Sequence, residues 1–141
     1  MRALHEDLTP AWERANTSAP ALADHILVCE DSSKPYNRAG IVGLNPKTSK
    51  LLWARRGKSV AEDRVLGTWG LDVVINHTAR TSRGEIQAEL AGLNPNNGQT
   101  RWTLPCYFVH YAFHEEWMIL APYLTDKEHP VRKIVAYRKK G

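Results

Sequence analysis

The sequence predicts an all-β protein assembled from repeated antiparallel units of four strands, and three observations predict it. GLNPKTSKLLW at 43–53 returns as GLNPNNGQTRW at 92–102. The residues ahead of these copies also correspond, DHILVCED (24–31) with DVVINHT (72–78), and a shorter third copy follows as EWMILAPYLTDKEHPVRKIVAY (116–137). From residue 21 onward, short runs rich in Val, Ile, Leu and aromatics are separated by Gly, Pro, Asn and Ser clusters at even intervals, the pattern of sandwiches, barrels and propellers. A period of roughly 44 to 49 residues lies in or near the range of four-stranded propeller blades. A curled sheet or a β-barrel is the alternative arrangement of the same strands.

The elements follow in order. Residues 1–17 form an N-terminal segment read as a short helix, with Ala3, Leu4, Leu8, Ala11 and Trp12 at mixed three and four spacing and Pro10 weakening it. The rest, 18–141, reads as a single β-repeat domain with repeats near 18–56, 64–104 and 106–138. Strands are predicted at 18–23, 25–31, 40–45 and 50–56, then at 64–70, 72–78, 86–93 and 99–104, then at 106–113, 116–123 and 131–138. That makes eleven strands, with a twelfth missing from the third copy.

The repeated turn has a definite chemistry. Leu44 or Leu93 ends an inward-facing strand, and Asn45 or Asn94 bonds the backbone that follows it. Pro46 or Pro95 presets φ near −65° at the second turn position, and Gly98 supplies a positive φ at re-entry to the next strand. Ser49 occupies that Gly slot in the first copy, which implies strain on the order of 1 kcal/mol or another turn type. Trp53 and Trp102 close the hairpins, each able to bury on the order of 200 Å² against a neighbouring sheet.

Bulk properties limit the function classes. With 141 residues, 43% hydrophobic and 24% charged, the chain has the length and composition of one globular domain. Its apolar runs fall far short of the roughly 20 residues of a spanning helix. Glu6, Asp7, Glu13 and Arg14 interrupt the N-terminus where a signal peptide needs an apolar stretch, so the expected compartment is cytoplasmic by default. Cys29 and Cys106 are then expected as reduced thiols. A net charge of +4 permits attraction to an anionic partner without requiring one.

The turn pattern G43-L44-N45-P46-K47-T48-S49-K50-L51-L52-W53, with its copy G92-L93-N94-P95-N96-N97-G98-Q99-T100-R101-W102, resembles the pyrroloquinoline-quinone-type β-propeller repeat, A-L-D-x-x-T-G-x-x-x-W. The resemblance implies blades. It says little of chemistry, because the same repeat is similar to that of quinoprotein dehydrogenases, of outer-membrane assembly lipoproteins and of other scaffolds. Asn stands in place of Asp, Ser49 replaces the turn Gly, and three blades are fewer than the four to eight of a closed propeller. The catalytic Asp, calcium ligands and Trp-walled cofactor pocket of a quinoprotein find no residue-by-residue match, so no cofactor is assigned.

Candidate sites are few. Cys106, His110 and His114 at intervals of four would share a metal on a helix, but Tyr107, Val109, Tyr111 and Phe113 alternate as on a strand, which sets residues four apart at roughly 13 Å. No metal is assigned. A basic loop face gathers Lys34, Tyr36, Arg38, Arg80, Arg83, Lys127 and His129, suited to an anionic ligand or nucleic acid, beside Asp31, Glu85, Asp126 and Glu128 of an ordinary solvated face. A pocket between blades would be lined by Trp69, His77, His110 and Tyr111 and would suit a small enzyme. The sequence favours a third reading, a non-catalytic binding or assembly module whose loop face or open strand edge recognises a protein partner or a second copy in a homodimer.

Overall fold

The computed structural model describes residues 2–4, 10–32, 40–55, 62–80, 82–105, 108–124, 131–132 and 134–140. Every regular element among them is a strand: β1 (Arg2–Leu4), β2 (Pro10–Glu13), β3 (Thr17–Ala23), β4 (Ile26–Asp31), β5 (Gly40–Leu44), β6 (Leu51–Arg55), β7 (Glu62–Trp69), β8 (Asp72–Arg80), β9 (Ile86–Leu93), β10 (Thr100–Pro105), β11 (Phe108–His114), β12 (Trp117–Leu124), β13 (Val131–Arg132) and β14 (Val135–Arg138). The sheets run β3-β4-β5-β6, β7-β8-β9-β10 and β11-β12 with β13 and β14, all antiparallel. They are propeller-like blades, not closed into a barrel. No helix among the described residues is long and apolar enough to cross a membrane.

The third sheet differs from the others at its outer side. Tyr123 pairs with Arg132 and Leu120 with Val135, so β13 and β14 continue one register along the same side of β12. They fill one strand position in two pieces. The position that β6 and β10 fill in the first two sheets has no strand beyond β14 among the described residues.

The expected N-terminal helix is corrected by the structure, which forms the β1–β2 hairpin there. Ala3 pairs with Trp12 just as Gly43 pairs with Trp53 and Gly92 with Trp102, and a register shift adjoins each of these pairs. The hairpin is a further copy of the outer half of the repeat. A tertiary bond decides the matter over helical spacing: Trp12 Nε1 donates to Pro46 O at 2.8 Å, a contact that a helix through Pro10 has no reason to form.

Alternation along the central strands builds the core. Val28 and Ile41 of the first sheet pack on Val73, Ile75, Ala91 and Leu93 of the second. Residues one step along, Val74 and Leu90, turn to Met118 and Leu120 of the third sheet. The other side of the first sheet buries Cys29, Val42 and Leu44, on the side where Trp12 ties the hairpin. Burial pushes the free Cys29 thiol up to about 11, which leaves it protonated and inert near neutrality.

The repeated turns take the predicted chemistry. Asn45 Oδ1 accepts from Lys47 N at 2.9 Å and Asn94 Oδ1 from Asn96 N at 3.0 Å. Gly98 has φ 71°, and Ser49 at the matching position has φ 57°, a left-handed conformation costly for a side chain. Each Trp lies on the small residue of its own hairpin: a Cβ on Gly43 would fall 2.2 Å from Trp53 Nε1, and one on Gly92 would fall 2.1 Å from Trp102 Nε1.

Candidate interaction surface

The joints between sheets are built from the tryptophans outward. Trp53 Nε1 donates to Pro95 O of the next sheet at 2.6 Å, repeating the bond that Trp12 makes to Pro46. Gly98 lets the turn approach this ring, since a Cβ there would meet Trp53 Cε3 at 2.6 Å. Hairpin, first sheet and second sheet are thus joined by one repeated contact.

The joint to the third sheet is different, because the chain has no third Pro turn to offer. Register pairs Leu27 with Leu44, Val73 with Leu93 and Met118 with Tyr137, so Lys139 stands where Pro46 and Pro95 stand. Its Nζ donates to Asp72 Oδ2 at 2.8 Å and to Trp69 O at 3.2 Å. Arg101 Nη1 and Trp102 Nε1 donate to the same buried carboxylate at 2.6 and 2.9 Å. Burial alone would raise the Asp72 carboxyl, but bonds from Lys139, Trp102 and Arg101, with the Lys139 charge, outweigh it and hold the group below its ordinary range. Trp69 closes the joint by donating from Nε1 to Glu116 O at 2.6 Å and meeting the Trp102 ring edge to face at 5.4 Å.

The residues proposed for a pocket do not converge. Trp69 is this joint. Tyr111 lines an open groove of about 630 Å³ between β7 and β11, with Gly67, Thr68 and Phe113. His77 lines a separate cavity of about 390 Å³ with Gln87, Glu89 and Pro105. His110 is exposed on β11.

His77 has its own partner. Its Nδ1 is hydrogen-bonded to buried Asp63, whose second oxygen lies 3.6 Å from Arg55 Nε, and the bond orients the imidazole. Glu89, its cross-strand partner on β9, lines the same cavity. β11 is an extended strand, so His110 and His114 stand four residues apart along it.

Of the basic loop face, Lys34, Tyr36, Arg38, Lys127 and His129 lie outside the described residues, as do Cys106, Tyr107 and the side chain of Arg80. Arg83 is exposed in the turn between β8 and β9. Asp72, the centre of the second joint, has no local signal in the sequence, since its partner Lys139 is 67 residues away.

The outward side of the third sheet is the surface these joints leave uncovered. Hairpin geometry aligns Ile119 with Val28 and Val74, and Ile134 with Ile41 and Leu90. Those four counterparts are 0% exposed, whereas Ile119 is 39% and Ile134 79% exposed. Ala136, opposite Ile119, occupies the place of Gly43 and Gly92. Beside it Trp117 is exposed, with the Arg138 guanidinium 5.6 Å over its ring and paired to Glu116 at 2.8 Å. Charges that are paired and half solvated contribute little, so the apolar row dominates what this face offers.

No protein-family model and no curated protein matches the chain. Among solved structures it is similar to BamB from Moraxella catarrhalis, at 15% identity and a TM-score of 0.50, over 84% of this chain and 36% of that one. The likeness shows the propeller-like fold. The chain spans about a third of that protein's length.

Proposed function

We propose that the protein is a non-catalytic binding or assembly module, and that the third sheet is the end by which it recognises a protein partner. The observation that carries this is the open β14 edge: Val135–Arg138 pair with β12 on one side and with no strand on the other among the described residues. An edge with this register accepts an added strand, whose main-chain bonds supply affinity and whose alternate side chains supply selectivity. The likeness to BamB supports the propeller-like fold on which this reading is built.

A photo-crosslinking residue at Ala136, compared in cells with one at exposed Thr103 on β10, tests the reading. A discrete covalent adduct is expected from position 136 and not from 103. Equal labelling from both, or none from 136, sinks it.

A further inference from the structure

We infer that Asn97 is a deamidation site, held back by the joint between the first two sheets, and that its isoaspartyl product keeps this joint from closing again. Of the seven asparagines in the chain, only Asn97 is followed by glycine. Gly98 has no Cβ to shield its amide nitrogen. That nitrogen can therefore attack Asn97 Cγ: the new N–C bond closes a succinimide ring, and the side-chain nitrogen leaves as ammonia with the Gly98 amide proton. Water then opens the ring at either carbonyl. One opening gives aspartate in the original chain, and the other gives isoaspartate, with the Asn97 Cβ carried into the main chain.

The folded turn blocks the first step. The attacking nitrogen must give up its proton, and that proton lies in the bond from Gly98 N to Asn94 O, at 2.8 Å. The carbonyl it would attack is itself held, since Asn97 Oδ1 accepts from Gln99 N at 3.0 Å. The first sheet grips the same turn: Trp53 Nε1 donates to Pro95 O at 2.6 Å, and Arg55 Nη1 to Gly98 O at 3.4 Å. From the same turn, Asn96 Nδ2 donates to Asp24 Oδ2 at 2.8 Å. These bonds flank the Asn97–Gly98 peptide on both sides, so freeing it means loosening the joint.

The products differ in what they allow. Aspartate keeps the backbone, and its carboxylate accepts from Gln99 N as the amide does. Isoaspartate adds one carbon to the main chain between Asn94 O and Gly98 N. The turn then no longer fits under Trp53, where a Cβ on Gly98 would already fall 2.6 Å from Cε3. In the first sheet Lys47, Thr48 and Ser49 fill the matching positions and offer no amide to deamidate. The device belongs to one joint, consumes only water and runs one way.

Peptide mapping by mass spectrometry, on the full chain incubated at mildly alkaline pH, reads the aspartate and isoaspartate forms at residue 97. Conversion in buffer is expected to be slower by about tenfold or more than in urea strong enough to unfold the chain. Trp53→Phe keeps a ring but loses the bond to Pro95 O, and Asn96→Ala loses the bond to Asp24. Each, referred to its own rate in urea, should raise the rate in buffer by about threefold or more. Asn96 is exposed, so its substitution has little means of unfolding the chain. Isolated isoaspartyl chains should unfold at lower urea than the wild type, and Asn97→Asp at the wild-type midpoint. Equal rates in buffer and in urea overturn the inference. So do rates that neither variant moves, or isoaspartyl chains that keep the wild-type midpoint.

Discussion

The two ends of the stack carry the same repeat and meet opposite fates. At the first end Leu44 and Cys29 are sealed on the side to which Trp12 fastens the β1–β2 hairpin. At the third end Ile134 stands open at the position where Ile41 and Leu90 are fully buried. The repeat specifies an apolar face, and only a neighbour turns that face into core. Stability should therefore fall steeply for substitutions at joints and hardly at all for equivalent substitutions at the open end.

The largest effect is expected at the joint between the first two sheets. Trp53→Ala removes a ring seated between Gly43 and Gly98 together with its bond to Pro95 O. Urea unfolding should show a loss of about 3–5 kcal/mol. A loss under about 1 kcal/mol would mean that the repeated Trp contact does not hold the stack.

Equivalent positions come next. Leu90→Ala should cost about 2–4 kcal/mol, because it leaves a cavity in the buried cluster that Leu90 forms with Met118 and Leu120. Ile134→Ala should change monomer stability by no more than about 0.5 kcal/mol. Comparable losses at the two sites would show that the third face is covered in the monomer, and the contrast between ends would disappear.

The joint to the third sheet is tested by charge. Asp72→Asn should lower stability at neutral pH by about 2 kcal/mol, since the buried site loses its charge-assisted bonds to Lys139 and Arg101. The folded carboxyl sits below its ordinary 3.8. Its contribution is therefore present above that value and lost as pH falls through the lower folded one. Wild type and variant should accordingly converge in unfolding measurements as pH drops below about 4. A gap that stays constant from pH 6 to 2 would assign the loss to packing instead.

How much of this was legible depends on the range of the interaction. The strands of the three sheets and the Asn-Pro turns were readable, because Asn45 bonds Lys47 two residues on and alternation is a local property. The N-terminal hairpin was not. Leu4, Leu8, Ala11 and Trp12 mimic helical spacing, and the contact that overrides it is Trp12 to Pro46, 34 residues away. Asp72 was not singled out, since Arg101, Trp102 and Lys139 reach it from elsewhere in the chain. Trp69, His77, His110 and Tyr111 were grouped as one pocket lining. The structure sets Trp69 at the joint, Tyr111 and His77 on separate cavities and His110 exposed on β11, a placement that depends on contacts between strands. The small residue under each Trp was quoted in the motif, yet its cause, a ring that leaves no room for a Cβ, appears only in three dimensions.

The smallest effect separates the two repeated turns. Ser49 N donates to Asn45 O at 2.9 Å and Gly98 N to Asn94 O at 2.8 Å, so the turns share one geometry and differ in whether a side chain must hold positive φ. Ser49→Gly relieves about 1–2 kcal/mol of left-handed strain. It also frees the unfolded chain, which takes back about 0.4–1 kcal/mol. The net expectation is a gain of about 0.5–1 kcal/mol, read as a rise of a few degrees in Tm. The reverse change, Gly98→Ser, adds both strain and a clash with Trp53, and should cost about 2 kcal/mol or more. If Ser49→Gly lowers the melting temperature, the first turn carries no strain and Ser49 is held there by contacts of its own.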